Sequence, residues 1–201
     1  MTTAEEIIKL LKLQEHPVEG GYFLETYKSS HTITRENLPP GYKERVAPAT
    51  HEVTKRYSSK KKSSHENKIP IHSSTDDRSF STAIYYMLTP GTFSEMHRLK
   101  GDEIFHFYAG SPVEMLQLFP DGSGKKVIIG NNIKQEEQPQ VVVPAGVWQG
   151  SRLLPGGEFA LMGTTMAPGF DFSDYQTGNK EELIRRYPHF EELITHLTKR
   201  D

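Results

Sequence analysis

Apolar and polar positions alternate along this chain with two different periods. Near the N-terminus Ile7, Leu10 and Leu11, with Ile8 beside them, recur at helical spacing. Thr3 and Glu6 supply a capping box, which predicts a helix starting there and ending before Pro17. Gly20 and Gly21 break the chain, and positions 22–27 alternate as a strand would. Between 29 and 78 the periodicity disappears into Pro39-Pro40, a basic cluster at Lys55, Arg56, Lys60, Lys61 and Lys62, and many Ser, Thr and His residues. Such a stretch buries too little apolar surface to offset its ordering entropy, so it reads as a long, polar, partly mobile insertion. Beyond 80 the period of two returns in short runs at 80–88, 93–97, 103–109, 113–119, 126–129, 140–143, 147–153 and 158–166. Gly and Pro turns separate these runs, most clearly Pro120-Asp121-Gly122-Ser123-Gly124. Many short strands without intervening helices predict a mainly β sandwich, jelly roll or barrel. Two helices, at about 180–186 and 190–199 with Pro188 between them, close the chain.

Composition narrows the chemistry. The 201 residues suit a single domain, and the hydrophobic share of 35% is low for a globular chain, as the polar insertion requires. Cysteine is absent, which removes disulfides, thiolate metal sites and cysteine nucleophiles. A formal charge of -2 gives no reason to expect nucleic acid or anionic membrane as a partner. No run approaches a membrane span, and the first 16 residues lack the pattern of a secretory signal, so a cytoplasmic protein is expected.

One constellation of residues carries chemistry. Gly91, His97, Leu99, Glu103 and Gly110 have the spacing of the first cupin motif, and Pro144-Ala145-Gly146-Val147-Trp148-Gln149 that of the second. With the segment HPVEGGYFLETY at 16–27, STAIYYML at 81–88, Ser94, DEIFHFYAG at 102–110, Pro120-Asp121-Gly122, and APGFDF at 167–172, the chain resembles the cupin superfamily. Within it, the resemblance is to the DUF985 subfamily of sugar-epimerase-like cupins. It covers nearly the whole chain except the insertion, which is longer than the family leads one to expect. It implies a cupin double-stranded β-helix, a homodimer, and an interior pocket near His97, Glu103 and Gln149 in each subunit.

Metal-binding cupins hold a divalent cation with two histidines and a glutamate of the first motif and a histidine of the second. Here Leu99 and Gln149 stand at two of those four positions, leaving His97 and Glu103 for at most a weakly bound divalent metal. His97 reads either as a core histidine with one satisfied nitrogen or, with Glu103, as an acid–base pair. Ligand-binding candidates are Ser94, Arg98, His106, Gln149, Tyr86 and Trp148. Alternation puts only one of Tyr85 and Tyr86 inside, and places His106 opposite Glu103 unless a bulge intervenes. Asp171 reads as a turn cap. Two functions follow: a sugar or nucleotide-sugar epimerase or isomerase, or a non-catalytic cupin binding a sugar nucleotide or phosphosugar. A metal-dependent cupin enzyme is the third and weakest.

Overall fold

A computed structural model describes residues 2–43 and 77–198. The basic cluster at 55–62 and the rest of 44–76 lie outside the described residues.

Helix α1 (Ala4–Leu10) has the expected capping box, with Thr3 Oγ1 accepting from the Glu6 amide and Glu6 accepting from the Thr3 amide. It ends earlier than the proline demands, because Lys12 adopts a left-handed φ of 56°. That turn sends Leu13 back against Met87 and Ile7. The strands follow in chain order: β1 (Gln14–Glu15), β2 (Tyr22–Lys28), β3 (Thr32–Ile33), β4 (Arg78–Ser79), β5 (Thr82–Leu88), β6 (Phe93–Arg98) and β7 (Glu103–Gly110). After them come β8 (Val113–Leu118), β9 (Gly124–Ile129), β10 (Gln140–Val143), β11 (Trp148–Leu153), β12 (Ala160–Met166) and β13 (Gln176–Thr177). A short helix, α2 (Pro40–Lys43), lies between β3 and β4, while α3 (Lys180–Arg186) and α4 (Glu191–His196) finish the fold.

Two antiparallel sheets face each other, in the orders β1-β2-β5-β12-β7-β10 and β13-β6-β11-β8-β9. This is the jelly-roll architecture expected from the strand pattern. Inward side chains at one end of the barrel, among them Val113, Met115, Val127, Ile129, Val141 and Leu153, pack into an apolar core. The outer face of the second sheet buries Met96, Leu116, Leu118 and Trp148 against Leu183, Tyr187, Leu193 and Ile194 of the C-terminal helices. Helix α1 covers part of the other sheet's outer face through Ile7 and Ile8.

The described ends of the insertion belong to this fold. Strands β3 and β4 pair with each other, Thr32 opposite Ser79 and Ile33 opposite Arg78. Arg78 is buried and clamps Asp174 through two hydrogen bonds of 2.9 Å, while its Nη2 also donates to Ser173 Oγ at 2.7 Å. Leu38 and Tyr42 are buried as well. Four short elements had no signature in the alternation pattern: β1, β3, β4 and β13 are two residues each, too short to show a period.

Candidate functional site

At the end of the barrel opposite the apolar core, the strands enclose a cavity of about 70 Å³. That is room for several waters or a compact organic group. Its polar wall is Glu19, Glu25, Glu103, His16, Thr82 and Thr164. Its apolar wall is Phe23, Ile84, Leu99 and Met166, closed by Phe170, Phe172 and Tyr175 from the segment after β12.

Glu19 is held by the turn before β2. Gly20 and Gly21 have φ of 96° and 71°, and a Cβ on either would fall within 2.7 Å of a backbone oxygen, Phe93 O or Met87 O. Only glycine lets the chain press this closely onto β5 and β6. The Glu19 carbonyl accepts from the Glu95 amide at 2.9 Å, and its carboxylate accepts from Ser94 Oγ at 2.6 Å. His16 Nε2 and His97 Nε2 each lie 4.0 Å from the same oxygen, Oε2.

The two imidazoles present different faces to it. His16 Nδ1 accepts the Glu19 amide at 2.9 Å, so its proton is on Nε2, toward the carboxylate. His97 Nδ1 donates to the Glu95 carbonyl at 2.7 Å, which leaves Nε2 as the nitrogen able to take a proton. Burial by itself would push the Glu19 carboxyl up. The His97 and His16 imidazoles and the Ser94 and Tyr86 hydroxyls outweigh it, and the group sits below the ordinary glutamate value.

Glu103 opens β7, opposite Met166 of β12 and Val143 of β10. Burial, reinforced by the Glu19 charge, raises its carboxyl from 4.5 to about 7; His97, Thr164 and the Gln149 amide pull the other way without prevailing. Gln149 Nε2 donates to Glu103 Oε2 at 2.7 Å, and Gln149 Oε1 is buried without a partner. Tyr175 stacks on His97 with ring centroids 4.8 Å apart, and its hydroxyl is buried without a hydrogen-bond partner. Burial, then the charges of Glu19, Glu95 and Glu103, holds that hydroxyl well above the ordinary tyrosine value.

The structure brings some sequence candidates together and separates others. Glu103, Gln149, Ser94, Tyr86 and His97 all point inward, and the Tyr86 hydroxyl donates to the Gly20 carbonyl at 3.0 Å. His97, however, is not part of the cavity wall; it stands behind Tyr175 and Glu19, and its ion-pair contact is with Glu19 rather than Glu103. The expected His97–Glu103 pairing is thereby corrected to Glu19 beside His97, with Glu103 on Gln149.

Three ligand candidates face away. Arg98 lies over the Trp148 ring at 4.6 Å and donates to Gln176, because β6 alternation turns it outward. Trp148 shares that outer face with the C-terminal helices. His106 bonds Thr165 Oγ1 at 3.0 Å on the outside of the other sheet, since it is an odd number of residues from Glu103. Tyr85 is outside too, ring to ring with Tyr108. Asp171 caps the turn at Ser173, as read from the sequence.

The sequence reading assigned no role to His16, Glu19, Phe172 or Tyr175. The detectable signal was the Glu19-Gly20-Gly21 run, a charged residue on a turn too tight for side chains.

The residues do not fit a cupin metal. Leu99 places an aliphatic side chain on the cavity wall, and Gln149 spends its amide on Glu103. Among the described residues no three His, Asp or Glu side chains come together closely enough to hold an ion. The weak His97 and Glu103 metal site expected from the motif is not assembled.

A jelly-roll barrel with an ionisable cavity at one end, and both cupin motifs bordering it, defines a cupin. The chain belongs to the family described as Cupin superfamily (DUF985), which it matches over residues 5–178. It is 29% identical over 187 residues to the uncharacterized protein YML079W of Saccharomyces cerevisiae, covering 92% of this chain and 79% of that protein. It is similar to the crystal structure of protein SO0799 from Shewanella oneidensis, with 25% identity, a TM-score of 0.73 and 100% of both chains covered. A hypothetical protein from Leishmania major is alike to the same degree: 25% identity, TM-score 0.74, 98% and 99% of the two chains.

Proposed function

We propose that this cupin is an epimerase or isomerase of a small, sugar-like carbonyl compound, working by proton transfer in the cavity. One observation carries the reading. Of the three carboxyl groups lining the cavity, two are driven apart by their surroundings: Glu19 is held ionised between two imidazoles, and Glu103 is held protonated up to about 7. Groups pushed apart in this way divide into a base and an acid.

Glu19 takes the proton from the carbon next to the carbonyl. The C–H electron pair becomes the C=C bond of an enolate, and the carbonyl pair moves onto oxygen. Glu103, from the start of β7, returns its own proton to that carbon, and the carbonyl re-forms with the centre inverted. The cycle leaves Glu19 protonated and Glu103 ionised. His97 Nε2, 4.0 Å from Glu19, is placed to carry the proton off and reset the pair. His97 is on this account a positioning and relay group rather than the residue that touches substrate.

The test is solvent exchange. Aldoses, ketoses and their amino derivatives are incubated with the protein in D₂O, and deuterium at the carbon next to the carbonyl is read by proton NMR. Exchange is expected with the native protein, and a loss of about a hundredfold or more in Glu19→Gln and in Glu103→Gln. A ligand that binds in the cavity but never exchanges would make this a binding cupin instead, and sink the enzymatic reading.

A further inference from the structure

The reaction leaves the charge of the ligand open, and the cavity wall bears on it in two independent ways. The first is charge. Glu19, Glu25 and Glu103 line the cavity, and among the described residues lining it there is no lysine or arginine. Cationic side chains of the adjoining elements act elsewhere: Arg78 and Lys100 on Asp174, Arg98 on Gln176 and the Trp148 ring, and Lys28 of β2 on Asp171. The imidazoles of His16 and His97 both turn to Glu19, and Glu103 keeps its proton up to about 7, so Glu19 and Glu25 carry the negative charge of the wall. A phosphate entering here would meet the buried Glu19 carboxylate and Glu25 at the exposed rim, and like charges repel most strongly where water is excluded, at Glu19.

The second is the ring lining. Phe23, Phe170, Phe172 and Tyr175 border the same space. Phe170 and Phe172 meet edge to face, 5.1 Å apart at 76°. The face of an aromatic ring is the negative end of its quadrupole and attracts a cation within about 6 Å. The unpartnered, buried hydroxyl of Tyr175 adds a polar atom in the same wall. Glu19 and Glu25 supply long-range attraction and the rings supply shape and short-range attraction. Together they are the recognition chemistry of a compact ammonium group.

We infer that the cavity selects a ligand bearing a positively charged nitrogen, a primary or methylated ammonium, over a neutral or phosphorylated one. This rests on the reading above that the cavity is the ligand site. It narrows the substrate class from sugar-like carbonyl compounds at large to amine-bearing ones.

The test uses the full chain and three probes: choline, its uncharged carbon isostere 3,3-dimethylbutan-1-ol, and inorganic phosphate. Binding is followed through the imidazole resonances of His16 and His97, and through melting temperature. Choline is expected to bind about tenfold or more tightly than the isostere, with phosphate leaving both signals unmoved. Glu25 is exposed at the rim, so Glu25→Gln keeps the fold. It is expected to weaken choline severalfold while leaving the isostere unchanged. Equal binding of choline and isostere, or tighter binding of phosphate, overturns the charge preference and leaves the cavity as the site. Silence from all three probes overturns the cavity reading itself, and this inference with it.

Discussion

The two ends of the barrel interior are built from the same strands and do opposite things. Strand β8 faces inward with Val113 and Met115 at one end and Gln117 at the other; β11 runs from Leu153 through Ser151 to Gln149; β12 runs from Ala160 and Met162 to Thr164. The apolar end is close-packed, and that packing stabilises the fold. At the cavity end the buried polar groups cost stability wherever they are left incompletely paired, as Gln117 Oε1, Gln149 Oε1 and the Tyr175 hydroxyl are. Polar side chains are tolerated at that depth because the other half of each strand anchors it. Ionisable groups can then be held where their charges are displaced from the ordinary.

Truncation at the apolar end should be the most damaging change. Met115 is fully buried there, and Met115→Ala is expected to cost about 2–5 kcal/mol, read as a lower denaturation midpoint. Ligand response at the cavity should survive in whatever fraction remains folded. A loss below about 1 kcal/mol would mean that the packed end is not what carries the barrel.

At the cavity end the comparison is sharpened by pH. The folded Glu103 binds its proton up to about 7, whereas the unfolded chain releases it near 4.5. Its contribution to stability is therefore complete below 4.5 and is lost as pH rises through 7, because the unfolded state then binds fewer protons than the folded one. The difference amounts to about 3 kcal/mol. Glu103→Gln, which lacks the titration, should accordingly gain in melting temperature over the native protein between pH 5 and pH 8. Parallel curves across that range would mean that Glu103 is not displaced.

The smallest effect belongs outside the barrel. Arg98→Ala removes a ring contact and one hydrogen bond on the outer face, for about 1 kcal/mol or less, and should leave cavity binding untouched. A loss of ligand response would restore Arg98 as a binding residue.

These contrasts also explain which parts of the molecule could be read in advance. Period-two alternation gave strands β2 and β5–β12 to within a few residues, since each has one face in the barrel. The Thr3–Glu6 box gave the first helix for a local reason. Site residues inside the motif, Glu103 and Gln149, followed from spacing. Arg98 and Trp148 were misplaced by neglect of parity, each being next to an inward residue and hence outward, whereas alternation had already set His106 on the face opposite Glu103. Ser94 and His97, three apart, both face inward only because the β6–β11 register shifts between Gln149 and Ser151. Glu19 and His16 come from a turn far from the motif in sequence, and no local pattern announces a contact across 78 positions such as that of Glu19 with His97.

The pairing of β3 with β4 brings Ile33 opposite Arg78, 45 positions apart in the sequence. That junction is fastened to the segment after β12 by Arg78 on Asp174. Closing a longer excursion costs only about 0.6 kcal/mol for each doubling of its length. The length of chain between these two strands can therefore change at little energetic cost, while the barrel and its acid cavity keep their geometry.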